Sequence, residues 1–544
     1  MKSLTKRTVD FIILFLSCFT GIILCFFIGK DSGWDLANYH VYGPWALLTG
    51  RIGYDILPCS FQSYINPLID FPLYFMIKYF NNHPYFIEAI QSLWWGFSVF
   101  FVYKISSLIF KSESKKLNIF YIISSVIIGA TSVISIFEVG MSCDDLITST
   151  FVLGALYLYL KDFYLEEGKE RGLIILLVSL IFGLATGLKV TGAIFFVAFF
   201  FMHCFLLLQN KHNPLKHIGL IIIGFFAGFS VTGLWWYILI YNKFGNPFFP
   251  QMNHIFKAPG ALPVSHADFR HYPLTLMQWL FYPFYWVFGY DNRHYVHFVI
   301  EAYNIDYRPV FVYITSVIFM MKQFFSKFSK QERVKEDYEK ITGYIVIYTV
   351  FVYVMWLNTS SILRYIAPLE MLFGVLIFSV IYIFFKNKAK IGVIITLVLS
   401  IFMLFSTKYI NNEEGAYRVP FGNKFIEVTP NNFPDNAVLC TLGGHPYNMF
   451  MPFENKNTKL VYIFGETESY YFRYPVSEEN RIKEIINNPD NEIYAIYSDA
   501  DTIFLDLAYV DKFLDIRTNP ERWECKNIPN EFNDSYVLCK RLKR

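Results

Sequence analysis

Charge is scarce in this chain. Only 17% of its 544 residues are Asp, Glu, Lys or Arg, and the net charge is +3. No basic stripe interleaved with aromatics is present, which argues against a nucleic-acid partner. Cysteine is thin as well: eight residues lie scattered, and nothing in their spacing resembles a zinc or iron–sulfur site. Cys18, Cys25 and Cys204 sit in apolar runs and read as small apolar side chains. Cys525 and Cys539 flank a polar stretch and would pair in an oxidising compartment, which spacing alone does not decide. A cleavable leader is not evident either. The first apolar run, Phe11–Ile28, lacks a small-residue cleavage site and is long enough to stay as an anchor.

What the chain has is apolar surface. Hydrophobic residues make up 54% and aromatics 20%, and the mean hydropathy of +0.36 is not that of an ordinary soluble protein. Apolar runs of roughly 18–25 residues recur, enough to cross a hydrocarbon core of about 30 Å. Eleven spans are expected: Val9–Gly29, Tyr85–Phe110, Leu117–Phe137, Leu146–Leu160, Gly172–Gly187, Val190–Leu208, Ile218–Tyr241, Tyr307–Met321, Ile341–Leu357, Ile366–Phe385 and Ile391–Thr407. Lysines and arginines concentrate before the first span and in every second connection, as in Lys111–Lys116, Lys161–Arg171, Lys211–Lys216, Lys322–Lys340 and Lys386–Lys390. By the positive-inside rule the N-terminus is then cytoplasmic, and the odd span count places the C-terminal region outside a plasma or inner membrane.

The outward segments hold most of the polar complexity. They are the loops 30–84, 138–145, 242–306 and 358–365, the short turn at Leu188–Lys189, and the region 409–544. The few charges within spans (Asp10, Glu88, Lys104, Arg308 and Glu370) lie toward their ends, so chemistry is expected at the outer interface. The expected fold class is therefore a polytopic α-helical membrane module, 1–408, followed by an extracytoplasmic α/β domain, 409–544. In that domain Ala437–Leu442, Leu460–Phe464, Ile493–Tyr497 and Tyr536–Cys539 read as strands. Ser477–Asn487 reads as a helix, with Ser477 as its cap.

The first outward loop organises the site. Gly33–Tyr74 carries Asp35, Asp55 and Asp70 among aromatics, and Pro44, Pro58, Pro67 and Pro72 keep it from spanning. Asp35, in WDLANYH beside Trp34, Tyr39 and His40, suits a general base; Asp144 and Asp145, in EVGMSCDDL, suit a second carboxylate that positions the acceptor or binds a divalent cation, without a choice between them. The alternative is that these are solvated boundary residues. Lys189, in GLKVTG, has almost no loop to solvate it and needs an anion or a lipid head group. Arg364, before Tyr365 and Pro368, offers a guanidinium fork for phosphate. The large loop adds Arg270, His271, Arg293 and His294, with Arg308 beyond it. Outward carboxylates with outward cations suit a lipid-borne phosphate leaving group, whose charge needs cations more than a general acid.

These motifs, in this order, resemble the GT-C superfamily of membrane glycosyltransferases. FGNPFFPQMN at Phe244–Asn253 is similar to an element of the protein mannosyltransferase and aminoarabinose transferase group; its alternative is a chain turn at the end of a span. The resemblance covers about 1–408 and implies an inverting transferase that takes a sugar from a polyprenyl (undecaprenyl) phosphate carrier. The acceptor would be a cell-envelope glycan, lipid or protein. It further implies Asp35 as base, Asp144 or Asp145 in support, and Lys189, Arg364 and Tyr365 at the carrier phosphate, with His40 and Arg293 also at the substrate. Some relatives need a divalent cation such as Mg or Mn and others do not, so the metal stays open. YYFRYP at Tyr470–Pro475 either stacks on sugars or packs in its own core. Two other readings stand beside this one: a polymerase or ligase with a pyrophosphate-linked donor, and a polyprenyl-lipid or sugar transporter. Transport predicts mid-membrane polar residues and a repeat, and neither stands out.

Overall fold

The structure is a computed structural model that describes residues 5–164, 171–210, 214–264, 271–288, 305–326, 336–407, 418–442, 447–463, 476–498, 510, 523–528 and 536–542. Its helices follow the apolar runs. Seven segments among the described residues are long and apolar enough to cross a membrane: Lys6–Ile28, Pro84–Ile109, Val190–Leu207, Leu215–Phe244, Arg308–Ser326, Asp337–Leu357 and Phe373–Ser406. The last is two helices, Phe373–Phe385 and Ala389–Ser406, joined by a turn at Lys386–Lys388. Shorter apolar helices at Lys115–Ala130, Asp145–Leu158 and Arg171–Leu188 complete the set of expected runs. Phe27 and Phe405 are 86% and 87% exposed, a disposition that suits contact with lipid rather than water.

Close helix contacts are built from small residues, as expected where lipid gives no hydrophobic drive between helices. Helix Arg171–Leu188 lies so near helix Pro214–Phe229 that a Cβ on Gly183 would stand 2.1 Å from the Phe225 carbonyl, and one on Gly228 2.1 Å from that of Leu180.

Two expected spans are interrupted. Leu117–Phe137 divides at Thr131–Ser132 into Lys115–Ala130 and a short helix Val133–Phe137. Glu370 Oε2 accepts from the Ile134 and Ser135 amides at 2.9 and 3.3 Å, satisfying the first turn of that second helix. Ile366–Phe385 likewise breaks at Leu372.

The C-terminal sheet has five strands: β3 (Ala437–Leu442), β4 (Lys459–Ile463), β5 (Glu492–Ser498), β6 (Trp523–Ile528) and β7 (Tyr536–Arg541), in the order β4-β3-β5-β7-β6. β3 runs parallel to β4 and β5, and β7 antiparallel to β5 and β6. β6 was not expected from the sequence, because most of its side chains are exposed and it carries no apolar alternation. Cys525 and Cys539 face each other across β6 and β7 and form a disulfide. Ser477 does not cap its helix, which starts at Val476; its hydroxyl donates to the Pro259 carbonyl at 3.0 Å instead.

The sheet region packs directly on the first long loop. β1 (Lys30–Asp31) pairs antiparallel with β2 (Arg418–Val419), just after the last long helix. Ile56 bridges to Val461, and the Leu460 amide donates to Asp55 Oδ1 at 2.8 Å. Asp55 is also held by Arg51, which reaches the Lys456 carbonyl at 2.6 Å. A shared apolar cluster joins Leu36, Tyr42 and Trp45 to Phe425, Met449 and Phe450.

Candidate active site

The site starts where the first long helix ends. Gly29 takes φ 108 and turns the chain into β1. Asp31 then becomes a junction: Oδ1 accepts from the Gly33 amide at 2.8 Å and Oδ2 from the Ser142 amide at 2.9 Å. Its own amide donates to Glu88 Oε1 at 2.6 Å. One carboxylate thus ties the first loop to the second. Arg418 reinforces the junction by donating to the carbonyls of Gly29, Phe137 and Val139 at 3.2, 2.7 and 2.6 Å.

Asp35 opens a π-helical turn, Leu36–His40. Its Oδ2 accepts from Arg364 Nη1, and the Cys143 thiol lies 3.9 Å from the same oxygen. Burial by itself raises the Asp35 carboxyl, but Arg364, His40 and Lys189 outweigh it and hold the group below the ordinary carboxylate value. Arg364 also lies 5.4 Å from the centre of the Tyr365 ring, and Lys189 lies 5.8 Å from it.

The doubled aspartate divides its work. Asp145 Oδ1 takes Lys189 Nζ at 2.7 Å, and Lys189 also donates to the Cys143 carbonyl at 2.5 Å. The lysine has therefore found a protein anion. Burial lowers its ammonium pKa, but Asp145 and Asp144 more than reverse that. Asp144 sits in the left-handed backbone region at φ 63 and turns away toward His40, whose Nδ1 is 3.5 Å from Asp144 Oδ2 and 2.5 Å from Asp70 Oδ1. Burial pushes the Asp70 and Asp144 carboxyls well up and the His40 imidazole down. Glu138, also buried, is pushed up by burial and by Asp145.

The structure thus brings together Asp35, His40, Asp144, Asp145, Lys189, Arg364 and Tyr365, from segments far apart in sequence. Arg293 lies outside the described residues, as do Arg270, His294 and Tyr470–Pro475. Arg308 stands elsewhere, on Asp306 at 2.8 Å and Thr131 at 3.1 Å. The GNPFFP element is a built turn: Gly245 ends its helix at φ 76, Asn246 Oδ1 accepts from the Phe248 amide at 2.9 Å, and Phe249 stacks on Phe244. Asp31, Asp70, Glu88, Glu138 and Arg418 had no assigned role in the sequence reading. Asp31 and Glu138 do carry a legible signal, an acid just past an apolar run.

No family model and no curated protein matches the chain. Among solved structures, the chain is similar to the crystal structure of ArnT from Cupriavidus metallidurans in the apo state. The TM-score is 0.50 at 10% sequence identity, over 98% of this chain and 98% of that one. ArnT is an aminoarabinose transferase, a GT-C glycosyltransferase. The two proteins share a fold along nearly their whole lengths. At this identity the likeness is one of fold, and the chemistry has to be argued from the side chains.

Proposed function

We propose that this protein is an inverting membrane glycosyltransferase. It takes a sugar from a polyprenyl phosphate, such as undecaprenyl phosphate, and gives it to a cell-envelope glycan, lipid or protein on the outer face. The observation that carries this reading is the Asp35–Arg364 pair beside the Asp145–Lys189 pair: a carboxylate base and two cations at one place, beyond the end of the first span.

In this reading Asp35 accepts the proton of the acceptor hydroxyl. Arg364 and Cys143 both meet Oδ2, leaving Oδ1 for the acceptor. The acceptor oxygen bonds to the anomeric carbon as the bond from that carbon to the phosphate oxygen breaks, and the electron pair leaves on the polyprenyl phosphate. Lys189 and Arg364 offset the charge that develops there. No acid needs to protonate the leaving group, which sets the arrangement apart from the paired carboxylates of glycoside hydrolases.

The test is release of free undecaprenyl phosphate from a panel of undecaprenyl-phosphate sugars, with the full chain in nanodiscs and an acceptor-containing envelope extract. One donor should support release, and Asp35→Asn should reduce it by roughly 10²–10⁴-fold, the range for a general base. Release only from pyrophosphate-linked donors, or full activity in a folded Asp35→Asn protein, would sink this reading.

A further inference from the structure

The transfer step above uses Asp35, Lys189 and Arg364, and leaves a second group of cations on the first outward loop without a task. They gather on the turn 51–54, where Gly53 takes φ 82. Arg481, in helix Val476–Asn487, donates from Nη2 to the Gly53 carbonyl at 2.9 Å. Lys243, in the last turn of helix Trp235–Phe244, donates to the Ile52 carbonyl at 2.6 Å. Lys459, the first residue of β4, places Nζ 4.5 Å from the centre of the Tyr54 ring, and Arg51 Cζ lies 5.0 Å from the same centre. Four cations from four segments thus meet at one turn. Tyr54 is 43% exposed, so the place is open to the outside.

Two acids stand against them, and neither serves Lys459. Asp55 is saturated: Oδ2 accepts from Tyr42 and from Arg51 Nε, and Oδ1 from Arg51 Nη2 and the Leu460 amide. Glu478 reaches Arg481, and only at 3.5 Å. Among the described residues the Lys459 ammonium has the Tyr54 ring beside it and no carboxylate. The lysine is half-buried, and burial together with Arg481 and Arg51 holds its pKa below the ordinary lysine value, against Asp55. A solvated surface lysine swings away from like charge. This one is held over an aromatic face in a positive field that an anion would relieve.

We propose that Lys459 and Arg481, beside Tyr54, form a binding site for an oxyanion, the carboxylate or phosphate group of an acidic sugar. Arg481 offers a guanidinium fork and Lys459 a compact charge with three donors. Tyr54 gives a flat face on which the sugar ring that bears the acid group can pack. Lys243 and Arg51 add to the field without having to touch the ligand. The site lies where the first outward loop meets the sheet domain, so an anion there ties the two together. A lipid phosphate head group has the same chemistry and is the second source to be tested. Oxyanion binding does not depend on the transferase reading; the consequence, that the site holds an acidic acceptor glycan, does.

The measurement is calorimetric titration of inorganic phosphate and of glucuronate into the full chain in phosphatidylcholine nanodiscs. Saturable binding is expected. Lys459→Gln and Arg481→Gln should each weaken it at least about tenfold, the loss of one hydrogen bond to a charged group, and Lys459→Arg should keep it. Arg364→Gln, which removes a cation of the transfer site, should leave this binding in place. So should Lys388→Gln, the same charge change in a basic connection. No saturable binding in wild type overturns the site, as does binding lost only in Arg364→Gln or lost equally in Lys388→Gln. Adding phosphatidylglycerol to the disc separates the sources. Competition with glucuronate that Lys459→Gln removes marks a lipid head group and overturns the acceptor role; its absence supports an acidic glycan. In the release assay Lys459→Gln should then raise the amount of envelope extract needed for half-maximal release, with a smaller effect on the maximum. Anion binding without sugar release from any donor would keep the site and remove the transferase reading; release without anion binding would do the reverse.

Discussion

Asp35 can serve as a base only if it stays ionised in a site with little water. Burial opposes this, and the cations around the carboxylate overcome it, Arg364 chief among them. The sign of the linkage follows. A carboxyl depressed in the folded state contributes stability above its unfolded pKa, and that contribution fades as pH falls through the folded value. The acid limb of kcat/KM for wild type should therefore lie below the ordinary carboxylate range of about 3.9. In Arg364→Gln burial is left with less opposition, so the limb should move up, and the rate at its plateau should fall by roughly 10²–10³-fold as a charge-stabilising donor is lost. A pH–rate profile checks both. An unshifted limb would mean that Arg364 serves only the leaving group. Arg364→Lys keeps the charge without the fork, and should restore most of the limb but less of the rate.

At the scale of elements, the site depends on a turn that no apolar pattern announces. Leu36–His40 winds as a π-turn, and the C-terminal region braces it from outside. Asn448, in the short helix Asn448–Phe453, donates to Asn38 Oδ1 at 3.1 Å and to the Pro58 carbonyl at 2.7 Å. Asn448→Ala strands these buried acceptors, at a cost of about 1–3 kcal/mol. Its sharper effect should be on kcat, through a displaced Asp35, with donor KM little changed; a uniform loss of folded protein would instead mark a purely structural role. Asn448 also shows where sequence reading stops. The helices were legible because runs such as Phe373–Phe385 are apolar throughout, and so were Asp35, Lys189 and Arg364, because a charge at a span boundary needs a reason. The breaks at Ser132 and Leu372 were not, because they depend on contacts such as Glu370 with the Ile134 amide. Asp70 was visible but mute, since its partners, His40 and Asp144, come from residues 30 and 74 positions away.

Over the whole molecule, every segment that builds the site was assigned to one side from loop charge alone, and these segments do meet at one end. β1 pairs with β2, Asp31 reaches Ser142, and the Lys30 ammonium reaches the Phe425 carbonyl at 2.7 Å. The basic connections, such as Lys111–Lys116 and Lys386–Lys390, alternate with these segments along the chain. Which end faces out is a separate matter. The alternation of lysine and arginine points the site and the sheet outward, and the Cys525–Cys539 disulfide agrees, since such bonds persist in oxidising compartments. Labelling of introduced cysteines in intact cells with a membrane-impermeant maleimide decides it. None of the six unpaired native cysteines is exposed, so background labelling should be low. Asn488→Cys, on the sheet domain, and Glu113→Cys, in a basic connection, both place a thiol at an exposed position. Asn488→Cys should react in intact cells, and Glu113→Cys only after permeabilisation. The reverse pattern would put the site on the cytoplasmic face, where a lipid-linked donor would have to be used before export, and the proposed outer-face reaction would fall with it.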